Sequence, residues 1–558
     1  MTSFKYWIVT SALPYANGEL HIGHIRSTYL PADICARFLR NMGKKAYHIC
    51  GTDEHGTPIL ARAIKEGKTP RDIVDFYHEI IKRSLERTLI HFDIFSRTTK
   101  IHHYELTHQF YERAKKEGYI YYKDVPILYC ENDKMALPDR LVMGTCPYCG
   151  ATGQYGDHCE VCGRTYNAFQ LKDPRCAICG HRPVVRHSKH AFFALSRLSD
   201  NLKKWIEKEV RLTRGVKEHV LHWIKEGLQD WDITRDIHWG VPVPDLSGQV
   251  FYVWWDAPIG YVSFTKELFD GIGEDWKAAW INGNGYIIHF IGKDIIYHHV
   301  LFWPAMLMVN GFTLPKEIRV RGFATLEGQK MSKSRGLYIG LEEFLEIWSP
   351  EYLRFYWSST TSESLDDGDF SLREFQEKIN KMLIGEVGNF IHRVLTLIVK
   401  GQIRDGNLFT DIISYAEEKI SQYEDRMVNN QFDAGLELVI EIARTGNKLL
   451  SEKEPWKNLK SIEAANTLFT AYALVLSLSV LIDPFLPFSA KNLRTLLRVP
   501  VDANQIYPNL KNVITNEEFI SSSINEILRH SEKVKPLFPK VRDSDIKRVK
   551  SKLKLGGD

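Results

Sequence analysis

Apolar positions along this chain follow two rhythms. Near the start, short and nearly continuous apolar runs in WIVTSAL and KAYHICG flank STYLPADICARFLRNMG, whose apolar residues fall at helical spacing and which Gly43 closes. That β-α-β order predicts parallel strands joined by a crossover helix. Pro31 inside the helical stretch forbids a regular helix unless it falls within the first turns. From about Tyr122 to His187 the rhythm breaks into short segments rich in Gly, Pro and paired Cys, the texture of a metal-stapled insertion. Strand and helix signals return in QVFYVWWDAPIGYVSF and GYIIHFIGKDIIYHHVLFWPAML. After Ser334 the strand signal fades, and from about Phe370 the chain reads as amphipathic helices such as FQEKINKMLIGEVGNFIHRVLTLIVK and FDAGLELVIEIARTGNKLLSEKEPW. The expected fold class is α/β: a doubly wound parallel sheet, split by a zinc-knuckle insertion and followed by an all-α helical bundle.

Composition narrows the function classes. The 558 residues, 44% apolar and 12% aromatic, suffice for several buried cores. A net charge of +4 is too mild to announce a nucleic-acid binder by itself. The opening MTSFKYWIVTSALPYANG lacks a long apolar core with a small-residue cleavage site, so a cytoplasmic location is expected. The apolar stretch Ala471 to Ile482 is shorter than the ~20 residues that span a bilayer and ends at Asp483-Pro484; it predicts a buried helix and no membrane partner. The Lys/Arg-rich end VRDSDIKRVKSKLKLGGD predicts a surface helix that frays. Six of the nine cysteines sit in three C-x-x-C pairs, which in a reducing compartment argues for metal ligation over disulfides, while Cys35 and Cys50 read as core thiols.

Two short stretches carry the chemistry. In PYANGELHIGHIRS, His21 and His24 flank Gly23 where a strand gives way to a helix, and a helix N-terminus with a close-approach glycine suits a polyphosphate. In EGQKMSKSRG, Lys330 and Lys333 flank Met331 and Ser332 in a glycine-bounded loop; two ammonium groups on flexible stems can neutralise a departing pyrophosphate. Cys146, Cys149, Cys159 and Cys162 have the spacing of two knuckles around one tetrahedral structural zinc.

HIGH and KMSKS, in this order, are the two signatures of class I aminoacyl-tRNA synthetases, and the chain resembles the methionyl-tRNA synthetase family over nearly its whole length. SALPYANGELHIGH, CGTDEHGTPI, VWWDAPIGY, FIGKDIIYHHVLFWPAML and GQKMSKSRG carry the resemblance. It implies that His21, His24, Lys330 and Lys333 are catalytic, and that Gly23, Gly292, Asp294, Met331 and Ser332 join the two lysines in binding ATP. It also implies that Asp53 takes the substrate ammonium and that Ala12, Leu13, Tyr15, Trp254, Pro258, Tyr261, Ile295 and His299 wall the methionine side chain. A soft thioether suits such an aromatic lining, with a Tyr or His donor against the weak sulfur acceptor. The implied reaction is attack of the methionine carboxylate on the α-phosphorus of Mg-ATP, then transfer to the terminal adenosine of tRNA, with no covalent enzyme intermediate. The short insertion leaves no room for the editing domain of the leucine, isoleucine and valine enzymes. Asn389 and Arg393, four apart on one helix face, and Trp456 are implied to read the anticodon CAU of initiator and elongator methionine tRNAs. Family members with a second zinc pair a first knuckle with the last; here Cys130, Cys176 and Cys179 are present and the fourth ligand would be Asp133 or His181. No appended oligonucleotide-binding domain follows, so a monomer is expected, with a separate tRNA-binding protein as a candidate partner and no DNA. The resulting layout is a Rossmann-like catalytic domain in two halves, 1–118 and 226–325, a connective insertion 119–225, a KMSKS and stem-contact region 326–380, an anticodon-binding bundle 381–530 and a tail 531–558. The alternative from another class is a tRNA-recruiting protein that has kept the fold and lost catalysis, which the four intact signature residues oppose.

Overall fold

A computed structural model describes residues 4–156, 159, 161–162, 164, 166–331, 336–530 and 534–553. Its centre is a five-stranded parallel sheet of β1 (Tyr6–Ser11), β2 (Ala46–Thr52), β3 (Ile94–Arg97), β6 (Gly285–Gly292) and β7 (Glu317–Arg321), in the order β7-β6-β1-β2-β3. All four pairings are parallel, with Val9 level with Ile288 on one side and His48 on the other. Helices cover both faces, which is why YWIVTS is buried at every position and its first four residues read as an unbroken apolar run. The chain leaves β1 toward β2 and β3, then crosses to β6 and β7 on the opposite side. The order therefore reverses between β1 and β6, and the crevice past the carboxyl ends of those two strands is where such sheets bind ligands.

The crossover helix starts as α1 (Ile22–His24), widens into a π turn at Ile25–Tyr29, and continues as α2 (Leu30–Asn41) with Pro31 in its first turn. The widened turn accommodates the missing N–H of Pro31, so the proline restarts the helix without ending it.

Between β3 and β6 lies the insertion, built on a long antiparallel hairpin of β4 (Ile120–Cys130) and β5 (Val184–Phe193). Its sheet also takes in Trp231–Asp232, a few residues beyond the expected boundary at 225. QVFYVWWDAPIGYVSF yields only a two-residue strand, Val250–Phe251, and is helical from Val253 onward. Its aromatic residues mimic a strand because Trp255, Tyr261 and Phe264 are fully buried helix positions. After β7 come β8 (Ala324–Leu326) and a hairpin partner, Gln329–Lys330.

The helical half contains α3 (Asn389–Gly401), α4 (Thr410–Val428), α5 (Phe432–Lys453), the buried α6 (Ile462–Leu481) and α7 (Asp543–Lys552). The surface helix expected at the Lys/Arg-rich end is present as α7, and it is docked along one side: Ile546 and Val549 are buried, Asn380 donates to the Val541 carbonyl at 2.9 Å, and Lys552 pairs with Glu343 at 2.8 Å. Two apolar residues three apart suffice to dock a short basic helix.

Candidate functional site

The HIGH segment is its own cap. His21 Nδ1 accepts from the Gly23 amide at 3.1 Å and His24 Nδ1 accepts from the His21 amide at 3.0 Å, with the rings 3.9 Å apart. Both rings thus fold back on the start of α1 and stand together at the wall of the cleft. A Cβ on Gly23 would stand 2.9 Å from the Ala324 Cβ, so only glycine lets α1 lie this close to β8. Arg26, buried in the π turn, donates to the Gly322 and Phe323 carbonyls at 2.6 and 3.0 Å and ties the first signature to the strand that leads to the second.

One cleft of about 700 Å³ opens at the reversal point of the sheet. Toward its apolar end lie Ala12, Leu13, Tyr15, Trp254, Pro258, Tyr261, Ile295 and His299, all eight residues expected to wall the side chain. Toward the other end lie His21, Gly23, His24, Gly292, Asp294, Lys330 and Met331. Ser332 and Lys333 fall outside the described residues. Ser27, Thr28, Phe323 and Thr325 also line the cleft and escaped the sequence reading, though the first two follow HIGH directly.

Asp53 sits where β2 ends. Its amide donates to the Pro14 carbonyl at 3.0 Å and its carbonyl accepts from the Ala16 amide at 2.9 Å, so the segments after β1 and β2 hold each other. Burial, reinforced by the charge of Asp256, lifts its carboxyl well above the usual carboxylate range. Asp256 behaves oppositely: burial works against its charge, but His55, with Nδ1 2.5 Å away, and His103 outweigh it and hold the group low. One of two neighbouring carboxylates is thus balanced by histidine, and the other awaits a cation.

At the apolar end His299 Nδ1 donates to the Ile295 carbonyl at 3.1 Å, which leaves Nε2 to accept from the Tyr261 hydroxyl at 2.8 Å. Burial pushes His299 down to about 4, so the ring is neutral at pH 7 and puts no charge into an apolar pocket. Gly292 approaches the Asp294 carboxylate so closely that a Cβ there would stand 2.6 Å from Oδ1.

The cysteines gather into two groups of four ligands. Cys146 and Cys162 sulfurs are 3.9 Å apart and those of Cys149 and Cys159 3.6 Å, against the ~3.8 Å that four thiolates keep around one zinc. In the second group Asp133 Oδ2 lies 3.3 Å from the Cys130 sulfur and 3.0 Å from that of Cys176, with Cys179 3.4 Å from Cys130. Of the two candidate fourth ligands the fold gathers Asp133; His181 is exposed and contributes only its carbonyl, to the Cys176 amide. Both donor sets fit a tetrahedral zinc.

In the helical half, Asn389 is exposed on α3 and Arg393 sits one turn on, its guanidinium 5.2 Å from the ring centre of Trp456, which is 41% exposed. An indole held against a cation at the surface is available for stacking on an unpaired base.

Residues 7–395 match the family described as tRNA synthetases class I (M), and residues 402–553 match the anticodon binding domain of methionyl tRNA ligase. The methionine–tRNA ligase of Methanopyrus kandleri is 43% identical over 98% of this chain and 81% of its own length; that of Pyrococcus abyssi is 43% identical over 88% and 72%. A solved Mycobacterium tuberculosis methionyl-tRNA synthetase in complex with methionyl-adenylate superposes with a TM-score of 0.73 at 25% identity, over 89% of this chain and 94% of that one. Signatures, cleft, helical half and relatives agree, and the chain belongs to the methionyl-tRNA synthetases, within the class I aminoacyl-tRNA synthetases.

Proposed function

We propose that the chain activates L-methionine with Mg-ATP to methionyl-adenylate and pyrophosphate, and passes the methionyl group to the 3′-terminal adenosine of CAU-anticodon initiator and elongator methionine tRNAs in the cytoplasm, as a monomer. The observation that carries this reading is the cleft in which an apolar aromatic pocket, a buried carboxylate held above its usual range and the two HIGH imidazoles meet. Asp53 takes the ammonium, Tyr261 and His299 face the thioether, and Asp294 with Gly292 receives the nucleotide. His21, His24, Lys330 and Lys333 meet the charge that builds on the phosphates. Orientation and electrostatics do the work, and no side chain acts as nucleophile or obligatory base. Bound Mg²⁺ neutralises phosphate charge; the chain's own part is to align the carboxylate behind the α-phosphorus.

Exchange of labelled pyrophosphate into ATP, run with each amino acid in turn, tests the reading. Methionine is expected to drive exchange far above the rest; a folded chain that exchanges with none would point to the tRNA-recruiting alternative. For the tRNA half, Trp456→Ala is expected to lower kcat/KM for tRNA by about 10- to 100-fold through loss of one base stack while exchange without tRNA stays unchanged. For the metal sites, metal analysis of the purified chain is expected to return two zinc ions, and one for Asp133→Ala, because three thiolates alone leave the second ion a ligand short.

A further inference from the structure

The turn between α4 and α5 presses on the last strand of the sheet. Arg211 donates to the Asn429 side chain at 2.7 Å, the Asn430 amide group donates to Glu317 at 3.2 Å, and Asn430 adopts φ 58, a left-handed conformation that side chains rarely take. Arg321, the last residue of β7, is 1% exposed and lies between two phenyl rings, Phe290 of β6 at 5.7 Å and Phe432 of α5 at 5.6 Å. Its one hydrogen bond among the described residues is a long one, from Nη2 to the Asn430 carbonyl at 3.4 Å, and its Nε and Nη1 have no partner there. Unpaired buried N–H groups on a charged side chain are rare and costly, and a carboxylate brought within reach would satisfy them.

Burial works against the charge of Arg321, and Arg319 and Arg26 add repulsion, while two carboxylates favour it: Glu363, and Asp433, the residue after Phe432, whose ring stands 5.6 Å from the guanidinium. Glu363 is already paired with Arg319 at 3.1 Å. Asp433, in the first turn of α5, forms no ion pair among the described residues, and it borders a cavity of about 540 Å³ between the two halves that gives it room to move. Immediately after Arg321 come Gly322 and Phe323, which hold Arg26 of the HIGH helix, and then β8 and the hairpin with Lys330.

We propose that Arg321 and Asp433 close into an ion pair when tRNA seats on the helical bundle, making Arg321 a positioning residue that ties an occupied anticodon site to the loop carrying Lys330. The inference rests on the function proposed above. Closing the pair satisfies the two idle donors and draws the α4–α5 turn toward the strand that feeds both signatures.

The test compares Asp433→Asn and Arg321→Met with the unsubstituted full chain in two assays: methionine-dependent pyrophosphate exchange without tRNA, and aminoacylation of a CAU tRNA. Methionine matches the length of the arginine stem and suits an apolar sandwich, so the fold survives. The expected result is exchange within about twofold of normal and an aminoacylation kcat lowered about tenfold in both variants, a size usual for coupling between sites. Arg321→Lys and Asp433→Glu, which keep the charges, recover part of that loss. A parallel fall of exchange and aminoacylation, or an aminoacylation kcat that neither variant moves, overturns the proposal. An unsubstituted chain that shows no exchange overturns the assigned function and the latch with it.

Discussion

Replacing Asp53 with asparagine lowers kcat/KM for methionine by about a hundred- to several-thousand-fold and leaves KM for ATP within a few-fold. Removing one member of a buried ion pair costs about 3–5 kcal/mol, and the ammonium of a bound methionine would be left in a cleft where Asp256 is already balanced by His55 and His103. The asparagine variant keeps its thermal midpoint, because without ligand the native carboxyl gains nothing from its charge: burial and Asp256 both oppose ionisation. The same shift sets a pH dependence. A raised folded pKa means that Asp53 binds its proton past the ordinary carboxylate range, and the ammonium binds the ionised form. Methionine affinity therefore rises with pH through the folded pKa of Asp53 and levels off above it, whereas in Asp53→Asn that rise is absent. Titrating methionine by fluorescence or calorimetry over a pH series that starts at the ordinary carboxylate range and rises until affinity levels off reads both effects. An unchanged kcat/KM in the variant would sink the assignment.

How much of this was legible beforehand depends on whether the information was local. The strand–helix–strand opening, the HIGH segment at a helix start and the two zinc knuckles follow from residues close in sequence, and each was visible as order or spacing; that HIGH caps its own helix was not. The cleft was legible only in parts: Leu13, Asp53, Trp254 and His299 come from four separate segments, and no periodicity says that they meet. The resemblance supplied that, and the reversal of strand order at β1 and β6 supplies the physical reason. What stayed hidden was long-range or compensatory. The choice of Asp133 over His181 depends on how a hairpin brings Cys130 to Cys176, across 46 residues of chain. The histidine balance of Asp256 joins residues 201 positions apart. The docking of α7 was missed because its composition is that of a frayed end, and only Ile546 and Val549 mark the face that packs.

Replacing Arg354 with alanine destabilises the whole chain by about 3–5 kcal/mol, and loosens the seam between the catalytic and helical halves before either half melts. Arg354 is fully buried. Its Nη2 pairs with Asp33 of α2 at 2.7 Å and also donates to the Pro484 carbonyl at 2.8 Å, while Nε donates to the Phe485 carbonyl at 2.8 Å and Nη1 to that of Leu89 at 3.1 Å. One guanidinium thus satisfies acceptors from the crossover helix, the segment before β3 and the end of the apolar α6 region, and alanine strips the Pro484 and Phe485 carbonyls of this donor while that of Leu89 keeps Arg37 at 3.0 Å. Asp33 itself is not orphaned, since Arg37 at 2.8 Å and the His91 amide at 2.9 Å remain, so the loss stays below that of stripping a lone buried charge. Acid reports the same contact. Burial alone would raise Asp33, but Arg37 and Arg354 together hold it far below the ordinary carboxylate value. A depressed folded pKa contributes stability that is full above the unfolded carboxylate pKa and is lost as pH falls through the folded value. The stability gap between native chain and variant, measured by urea unfolding, is therefore widest at neutral pH and narrows in strong acid as Asp33 takes up its proton. A gap that holds constant down to that range would mean that the carbonyl bonds, and not the ion pair, carry the seam.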